Sequence, residues 1–159
     1  MTMGDRVAVL KDGILQQVDT PRNLYENPRN VFVAGFIGSP AMNLVQLPIV
    51  DGGVQFGTTV IPVAREVLAK TNAKKITVGI RPEDLVVSKG EGISVDVDVV
   101  EELGADGYLY GRTNIDGVEA EIVSRVHGTD HPHAGDKVTL KPAGGIVHLF
   151  DVESGDRLN

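Results

Sequence analysis

Four carboxylates lie close together in one segment of the sequence and could in principle do acid–base chemistry. They are the side chains of Asp96, Asp98, Glu101 and Glu102. Two carboxylates act as an acid–base pair when their environments differ. The strict alternation of residues 94–100 predicts a β-strand with Val95, Val97 and Val99 on one face and the acids on the other. Because water would reach Asp96 and Asp98 freely, we interpret the group as a solvated face and predict no catalytic residue.

A histidine-rich loop is the second group with chemical potential. Its candidate ligands are His127, Asp130, His131 and His133. Zinc and nickel accept such ligands. The spacing, however, matches no metal motif on a helix or hairpin, and Pro132 separates two of the imidazoles rigidly. We therefore predict a solvated loop and no metal site.

A charged corner follows the strand-like run 75–80. Pro82 biases Arg81 away from helical geometry and removes a hydrogen-bond donor, so the strand should end there. Arg81 and Glu83 would then be held on a stiff corner. Two interpretations stay open: a structural turn carrying a surface ion pair, or a contact in an interface or regulatory site.

The composition excludes several classes of protein. The 159 residues suggest one domain, or one domain with an appendage, and 42% hydrophobic residues suffice for a core. A formal charge of -7 argues against a nucleic-acid partner, although Tyr108 and Tyr110 share a strand face. Cysteine is absent, so there is no disulfide framework. No membrane-spanning run or signal-peptide pattern is present, so we expect a soluble chain.

The first 40 residues predict a hairpin and two short helices. Strands at 6–10 and 14–18 flank a turn at Asp12 and Gly13. Thr20 and Pro21 are a helix-start signal. A second helix follows, and its expected packing residues are Val31, Phe32, Ala34, Gly35 and Phe36.

The remainder predicts a mainly β fold. Short strands are expected at 43–50, 54–56, 75–80, 85–87, 94–100, 108–112, 118–123, 137–141 and 146–150. A short helix is expected at 63–70, with Asn72 as its C-terminal cap. Strands of this length between glycine-rich turns are typical of a small Greek-key barrel of the OB-fold kind. We therefore predict such a barrel, preceded by the hairpin and the two helices.

Several motifs together resemble one family. Residues 1–7 (MTMGDRV) and 17–21 (QVDTP) resemble the tail of an ATP-binding cassette ATPase, and residues 24–28 (LYENP) and 32–40 (FVAGFIGSP) the junction after it. Residues 79–83 (GIRPE), 100–104 (VEELG) and 148–151 (HLFD) resemble a C-terminal regulatory domain. In this order they resemble the ATP-binding subunits of maltose/trehalose-type sugar importers, whose appended domain is called TOBE.

The sequence departs from that family where ATP is hydrolysed. It contains no G-x-x-x-x-G-K-[ST] loop, no signature loop and no apolar strand ending in Asp-Glu. The resemblance therefore implies a C-terminal part: a remnant of the ATPase domain at 1–40 and an OB-fold/TOBE regulatory domain at 41–159. This part would be no enzyme and hold no cofactor, whereas the full-length parent would bind ATP and magnesium. The parent would lie at the cytoplasmic face of the membrane.

The resemblance implies a regulatory and dimerisation role. The candidate interface residues are Arg81, Pro82, Glu83, Glu102, His148, Phe150 and Asp151. The expected partners are a second copy, the permease subunits, and a regulatory protein or sugar. A barrel that binds a small oxyanion or sugar, as in molybdate-binding (MOP-like) transport domains, is the alternative. The strand pattern around His148 predicts that its imidazole faces outward, and Phe150 should fill the core.

The N-terminal hairpin raises a further question, because its strand edges are unpaired in isolation. We expect it to be disordered, to pair with a second copy or to fold back onto the barrel.

Overall fold

The computed structural model describes residues 4–144 and 147–159. The helices are α1 Pro21–Glu26, α2 Val31–Phe36 and α3 Arg65–Leu68. The strands are β1 Val7–Lys11, β2 Ile14–Asp19, β3 Asn43–Val50, β4 Gly53–Phe56, β5 Thr59–Pro62, β6 Lys75–Ile80, β7 Leu85–Ser88, β8 Ile93–Leu103, β9 Asp106–Ile115, β10 Val118–His127, β11 Lys137–Pro142 and β12 His148–Phe150. The first three residues of the N-terminal motif and the predicted strand start at Ile146 lie outside the described residues.

Ten of these strands form two antiparallel five-stranded sheets. One has the order β10-β9-β8-β11-β7 and the other the order β12-β6-β3-β4-β5. In each sheet three consecutive strands form a meander and a later strand returns beside the first, which is the Greek-key arrangement. This confirms the predicted mainly β, OB-type fold.

The core lies between the two sheets. It is aliphatic apart from one phenylalanine, as the low aromatic content requires. Its most deeply buried members are Leu47, Val54, Phe56, Ile76, Val78, Ile80, Leu85, Val95, Leu109 and Leu140. Both sheets contribute alternate residues, so each strand presents an apolar face inward.

The sheets are joined at one edge by side chains that replace a β-ladder. The amide of Asn43 on β3 donates to the Val123 carbonyl and accepts from the Val123 N–H, each at 2.8 Å. Beside it, the hydroxyl of Ser124 donates to the carbonyl of Leu85 at 2.6 Å. The bonds from Asn43 satisfy the main-chain groups of Val123 on the free edge of β10, and the bond from Ser124 satisfies the carbonyl of Leu85 on β7.

A β-bulge interrupts the alternation of β8. The register to β9 shifts between Val97 and Val99, so Asp98 is the extra residue. The expected placement of Val99 in the core is therefore wrong: Val99 is 53% exposed, whereas Val95 and Val97 are buried. The Asp98 carboxylate instead accepts hydrogen bonds from Arg112.

The N-terminal segment begins as predicted. The hydroxyl of Thr20 accepts from the Asn23 N–H at 3.2 Å, and Pro21 is the first residue of α1. The hairpin packs on the helices rather than on the barrel strands, with Val9 buried in a cluster with Leu24, Val33 and Ile37. Hairpin strands β1 and β2 pair only with each other among the described residues.

Other details differ from the sequence-based expectation. Phe36 is exposed and Val33 takes its predicted place in the packing of α2. Helix α3 ends at Leu68 and its cap is Ala69, not Asn72. Strand β5 was not predicted, because its residues lack a clear alternation. In the described part of the chain, no helix is both long and apolar enough to cross a membrane.

Candidate functional site

Arg81 projects from the end of β6 toward the two N-terminal helices. Its backbone is extended, with φ -67° and ψ 148°, and Pro82 begins a short 3-10 turn at Pro82–Asp84. The proline restricts Arg81 to this conformation, as the sequence predicts. The strand end therefore points the arginine side chain away from the barrel.

The guanidinium of Arg81 binds main-chain carbonyls of residues 21–37, which contain α1 and α2 and which we call the helical segment. It donates to the carbonyls of Ile37 at 2.5 Å, of Tyr25 at 2.9 Å and, at 3.4 Å, of Ala34. The carbonyls of Ala34 and Ile37 lie at the C-terminal end of α2, where carbonyls lack helical partners and carry partial negative charge. Arg81 thus caps α2 from another part of the chain.

Arg81 and Glu83 do not form an ion pair with each other, but both contact the side chain of Tyr25. The Arg81 guanidinium lies over the ring of Tyr25, 4.0 Å from its centroid. The Tyr25 hydroxyl donates a hydrogen bond to Glu83. The interpretation of a surface ion pair is therefore wrong, because Arg81 is 2% exposed and its partners are carbonyls and an aromatic ring.

Burial affects the charge of this arginine. It lowers the pKa of Arg81 to about 10, with the nearby Asp84 carboxylate acting in the opposite direction. Arg81 therefore stays charged at neutral pH. Its Nε is buried without a hydrogen-bond partner among the described residues.

The region where the helical segment meets the barrel, around Arg81, is the junction. His148 is also buried there, contrary to the outward orientation expected from the sequence. It is paired with Gly79 across β12 and β6 and is 7% exposed. Burial, with the charges of Arg157 and Arg81, lowers the pKa of His148 to about 4. The imidazole is neutral at pH 7, and its Nδ1 has no partner within the described chain. The expectation of outward orientation fails because the tail of the chain, near Arg157, and the helical segment cover this face of β12.

Phe150 and Asp151 complete the junction. Phe150 is fully buried in a small cluster with Ala34 and Met42, which joins α2 to the barrel and confirms its predicted core position. The Asp151 carboxylate accepts from the Ser154 N–H at 2.9 Å and from the Thr71 hydroxyl at 2.7 Å. These hydrogen bonds, the one from Ser154 first, lower the pKa of Asp151.

A C-terminal strap, residues 155–158, crosses from the helices to β12. The Val31 N–H donates to the Gly155 carbonyl at 2.9 Å, and the Arg157 N–H to the Arg29 carbonyl at 2.9 Å. On the other side, Phe150 forms a β-bridge with Arg157. The junction is therefore held by a cation, an apolar cluster and a strap.

Glu102 lies elsewhere. In the described chain it is not hydrogen-bonded to the junction residues, and its carboxylate is 3.0 Å from Nε2 of His131. The His131 imidazole is enclosed, which corrects the expectation of a wholly solvated loop. The Pro132 carbonyl and Glu102 raise the pKa of His131. His127 contacts a different acid, Asp106, at 2.9 Å.

Two of the junction residues were missed in the sequence. Tyr25 appears there only within the motif 24–28 (LYENP), and Arg157 lies outside every motif singled out there. Neither has a local signal, because each meets its partners across a large separation in the chain. No group of three metal-ligating side chains comes together among residues 4–144 and 147–159.

Two Greek-key sheets around one aliphatic core, with a polar junction at one end, define an OB-type β-barrel module. Family profiles agree with this. One described as "MalK OB fold domain" matches residues 38–85. One described as "TOBE domain" matches residues 78–150.

Curated relatives align along the whole chain. The diacetylchitobiose uptake system ATP-binding protein MsiK of Streptomyces coelicolor is 50% identical over 177 residues, covering 99% of this chain and 47% of the relative. The sn-glycerol-3-phosphate import ATP-binding protein UgpC of Ruegeria pomeroyi is 39% identical, with coverages of 99% and 43%. The xylose/arabinose import ATP-binding protein XacK of Haloferax volcanii is 40% identical, also with coverages of 99% and 43%.

The chain spans about half the length of the curated relatives it matches. Over 99% of its length the chain is similar to the C-terminal OB-fold and TOBE part of ATP-binding subunits of sugar ABC importers.

Proposed function

We propose that this chain is the regulatory and dimerisation part of a sugar-importer ATPase subunit and takes no part in the chemistry of ATP hydrolysis. In this proposal ATP and magnesium bind to the ATPase part of the subunit, the permease is contacted through that part, and the subunit works at the cytoplasmic face of the membrane. The residues 1–40 then belong to the ATPase part and 41–159 to the regulatory barrel.

The junction supports a regulatory role. Arg81 belongs to the barrel, yet its three acceptors are the main-chain carbonyls of Tyr25, Ala34 and Ile37. Main-chain acceptors cannot rotate away as side chains can, so a shift of the barrel displaces the helices with it. A coupling of about 1–3 kcal/mol between barrel contacts and cassette closure is sufficient for control.

Exposed apolar side chains on one face of a sheet support contact with a second copy. The bulge turns Val99 to the outer face of the sheet, where it is paired with Tyr110, and Leu103 is exposed further along the same strand. Bulges commonly redirect side chains to functional surfaces, and exposed apolar groups mark interaction sites. We assign this face, Val99, Leu103 and Tyr110, to the dimer contact.

The dimer contact is tested with the 159-residue chain by sedimentation equilibrium. Val99→Asp with Leu103→Asp should weaken self-association about tenfold or more, because two charges would be desolvated. Val60→Asp with Val87→Asp, at exposed valines on β5 and β7, is the matched control. A wild-type chain that stays monomeric at every concentration contradicts the dimerisation role.

The regulatory role is tested in a full-length subunit, made by joining this chain to the ATPase part of the 50% identical relative. Arg81→Lys should change transport by about fivefold or more while nucleotide affinity is unchanged. Arg112→Lys, at an exposed ion pair with Asp98, is the control. Unchanged transport with Arg81→Lys would count against coupling through the junction.

A further inference from the structure

A groove of about 610 Å³ lies beside the C-terminal strap. Three cations line it, each from a different part of the chain: Arg29 after α1, Lys70 after α3 and Arg157 in the strap. Asp156 is the one acidic side chain among the lining residues. This local excess of positive charge contrasts with the net charge of -7 for the whole chain.

These three cations have no acidic partner within 4.0 Å in the described part of the chain. By contrast, Arg112 and Arg125 on the barrel are both in ion pairs. Three cations that converge on one groove without acidic partners create a positive local potential, which attracts an external anion.

The donors of the groove are only partly used. Lys70 donates one hydrogen bond, to the Leu158 carbonyl at 2.7 Å. Arg157 donates to the Asn27 side chain at 3.3 Å, and its Nε is buried without a partner among the described residues. Arg29 is exposed. Guanidinium groups bind phosphate oxygens in pairs, and an ammonium adds a point charge.

A second groove, of about 440 Å³, adjoins the first and shares Lys70, Asp156 and Leu158 with it. Its other polar lining is different in kind, consisting of Thr71, Asn72, Asp151, Glu153 and Ser154. This groove adds no further cation. Its carboxylates accept hydrogen bonds, and its amide and hydroxyl groups both donate and accept them, so they suit the hydroxyl groups of a polyol.

We propose that the two grooves bind the phosphate monoester of a small sugar or polyol. The phosphate lies against Arg29, Lys70 and Arg157. The hydroxyl groups extend past Lys70 toward Asn72 and Glu153. Because the cations lie after α1, after α3 and in the strap, the bound ligand connects these three parts of the chain. This binding does not depend on the dimer contact or the regulatory role proposed above.

Calorimetry on the 159-residue chain at low salt tests the site with glucose 6-phosphate, inorganic phosphate and glucose. We expect binding of glucose 6-phosphate, weaker binding of inorganic phosphate and none of glucose. Arg29→Gln with Lys70→Gln should weaken glucose 6-phosphate binding about tenfold or more, because two charged donors are lost. Lys89→Gln with Lys141→Gln removes the same charge at exposed sites outside the grooves and should leave binding unchanged.

Two further variants keep the test informative without removing a cation. Asp156→Asn should tighten binding of both phosphate compounds severalfold, since it removes the acid from the groove. Glu153→Gln should weaken glucose 6-phosphate but not inorganic phosphate. Absence of heat with both phosphate compounds, an equal loss in the Lys89/Lys141 control, or glucose binding as tight as glucose 6-phosphate would each overturn the proposal.

Discussion

The ring of Tyr25 lies against Arg81, with the guanidinium carbon 4.0 Å from the ring centroid, while the main-chain carbonyl of the same tyrosine accepts from Arg81 at 2.9 Å. One residue of α1 is therefore bound by both its ring and its backbone. Its hydroxyl in turn donates to Glu83, two residues after Arg81. The Arg-Pro-Glu corner thus contacts the ring, the main-chain carbonyl and the hydroxyl of a single tyrosine.

Arg81→Lys should destabilise the chain by about 2–4 kcal/mol. A lysine presents one ammonium in place of the planar fork, so it cannot reach all three carbonyls and leaves buried acceptors unpaired. Urea unfolding measures the change. Arg112→Lys, which alters an exposed ion pair, should cost less than about 1 kcal/mol. Equal effects of the two variants would contradict the burial of the Arg81 contacts.

His148 should make the folded chain less stable as the pH falls. Its pKa is lowered from 6.5 to about 4, so between these values the unfolded chain binds a proton that the folded chain does not. The free energy of unfolding should therefore fall by on the order of 2 kcal/mol between pH 6.5 and pH 4. Urea unfolding at a series of pH values measures this loss.

The matched variant for this prediction is His148→Gln, which keeps a neutral polar group and removes the titration. Its pH dependence should be smaller in that window by the same amount. His131 acts with the opposite sign, because its raised pKa contributes stability at low pH that is lost as the pH rises. A His148→Gln curve parallel to the wild type would show that this imidazole is not buried.

The bulge in β8 predicts opposite outcomes for two neighbouring valines. Val97→Ala should cost on the order of 2 kcal/mol, because it opens a cavity in the core. Val99→Ala should cost less than about 0.5 kcal/mol, since Val99 is on the outer face. Thermal unfolding of both variants decides the matter. A large loss of stability in Val99→Ala would contradict the bulge, because it would place Val99 in the core.

Gly92→Ala should destabilise the chain by about 2–4 kcal/mol. The residue has φ 135°, and an added Cβ would collide with the Leu140 carbonyl. Gly90→Ala, two residues earlier, meets nothing within 4 Å and should change stability by less than about 1 kcal/mol. Comparison of the two melting curves tests the close approach of the strands at this end of the barrel.

Elements with local signals could be predicted well. Asp12 and Gly13 have φ values of 51° and 79°, as a tight hairpin turn requires, and Thr20 caps α1. Strand β3 has its predicted bounds. The bulge at Asp98 could not be predicted in this way, since the alternation of the valines continues through it and only the register to β9 reveals the shift.

The candidate site could be predicted in its members but not in its arrangement. The sequence located Arg81, Glu83, His148 and Phe150 within motifs, whereas the carbonyls that Arg81 binds are 44 to 56 residues away in the chain. Turns, caps and alternation follow from each residue's own backbone and its near neighbours, so the sequence alone specifies them. The burial of Arg81 and the neutral state of His148 at pH 7 depend instead on distant parts of the chain, which cover these side chains only after folding.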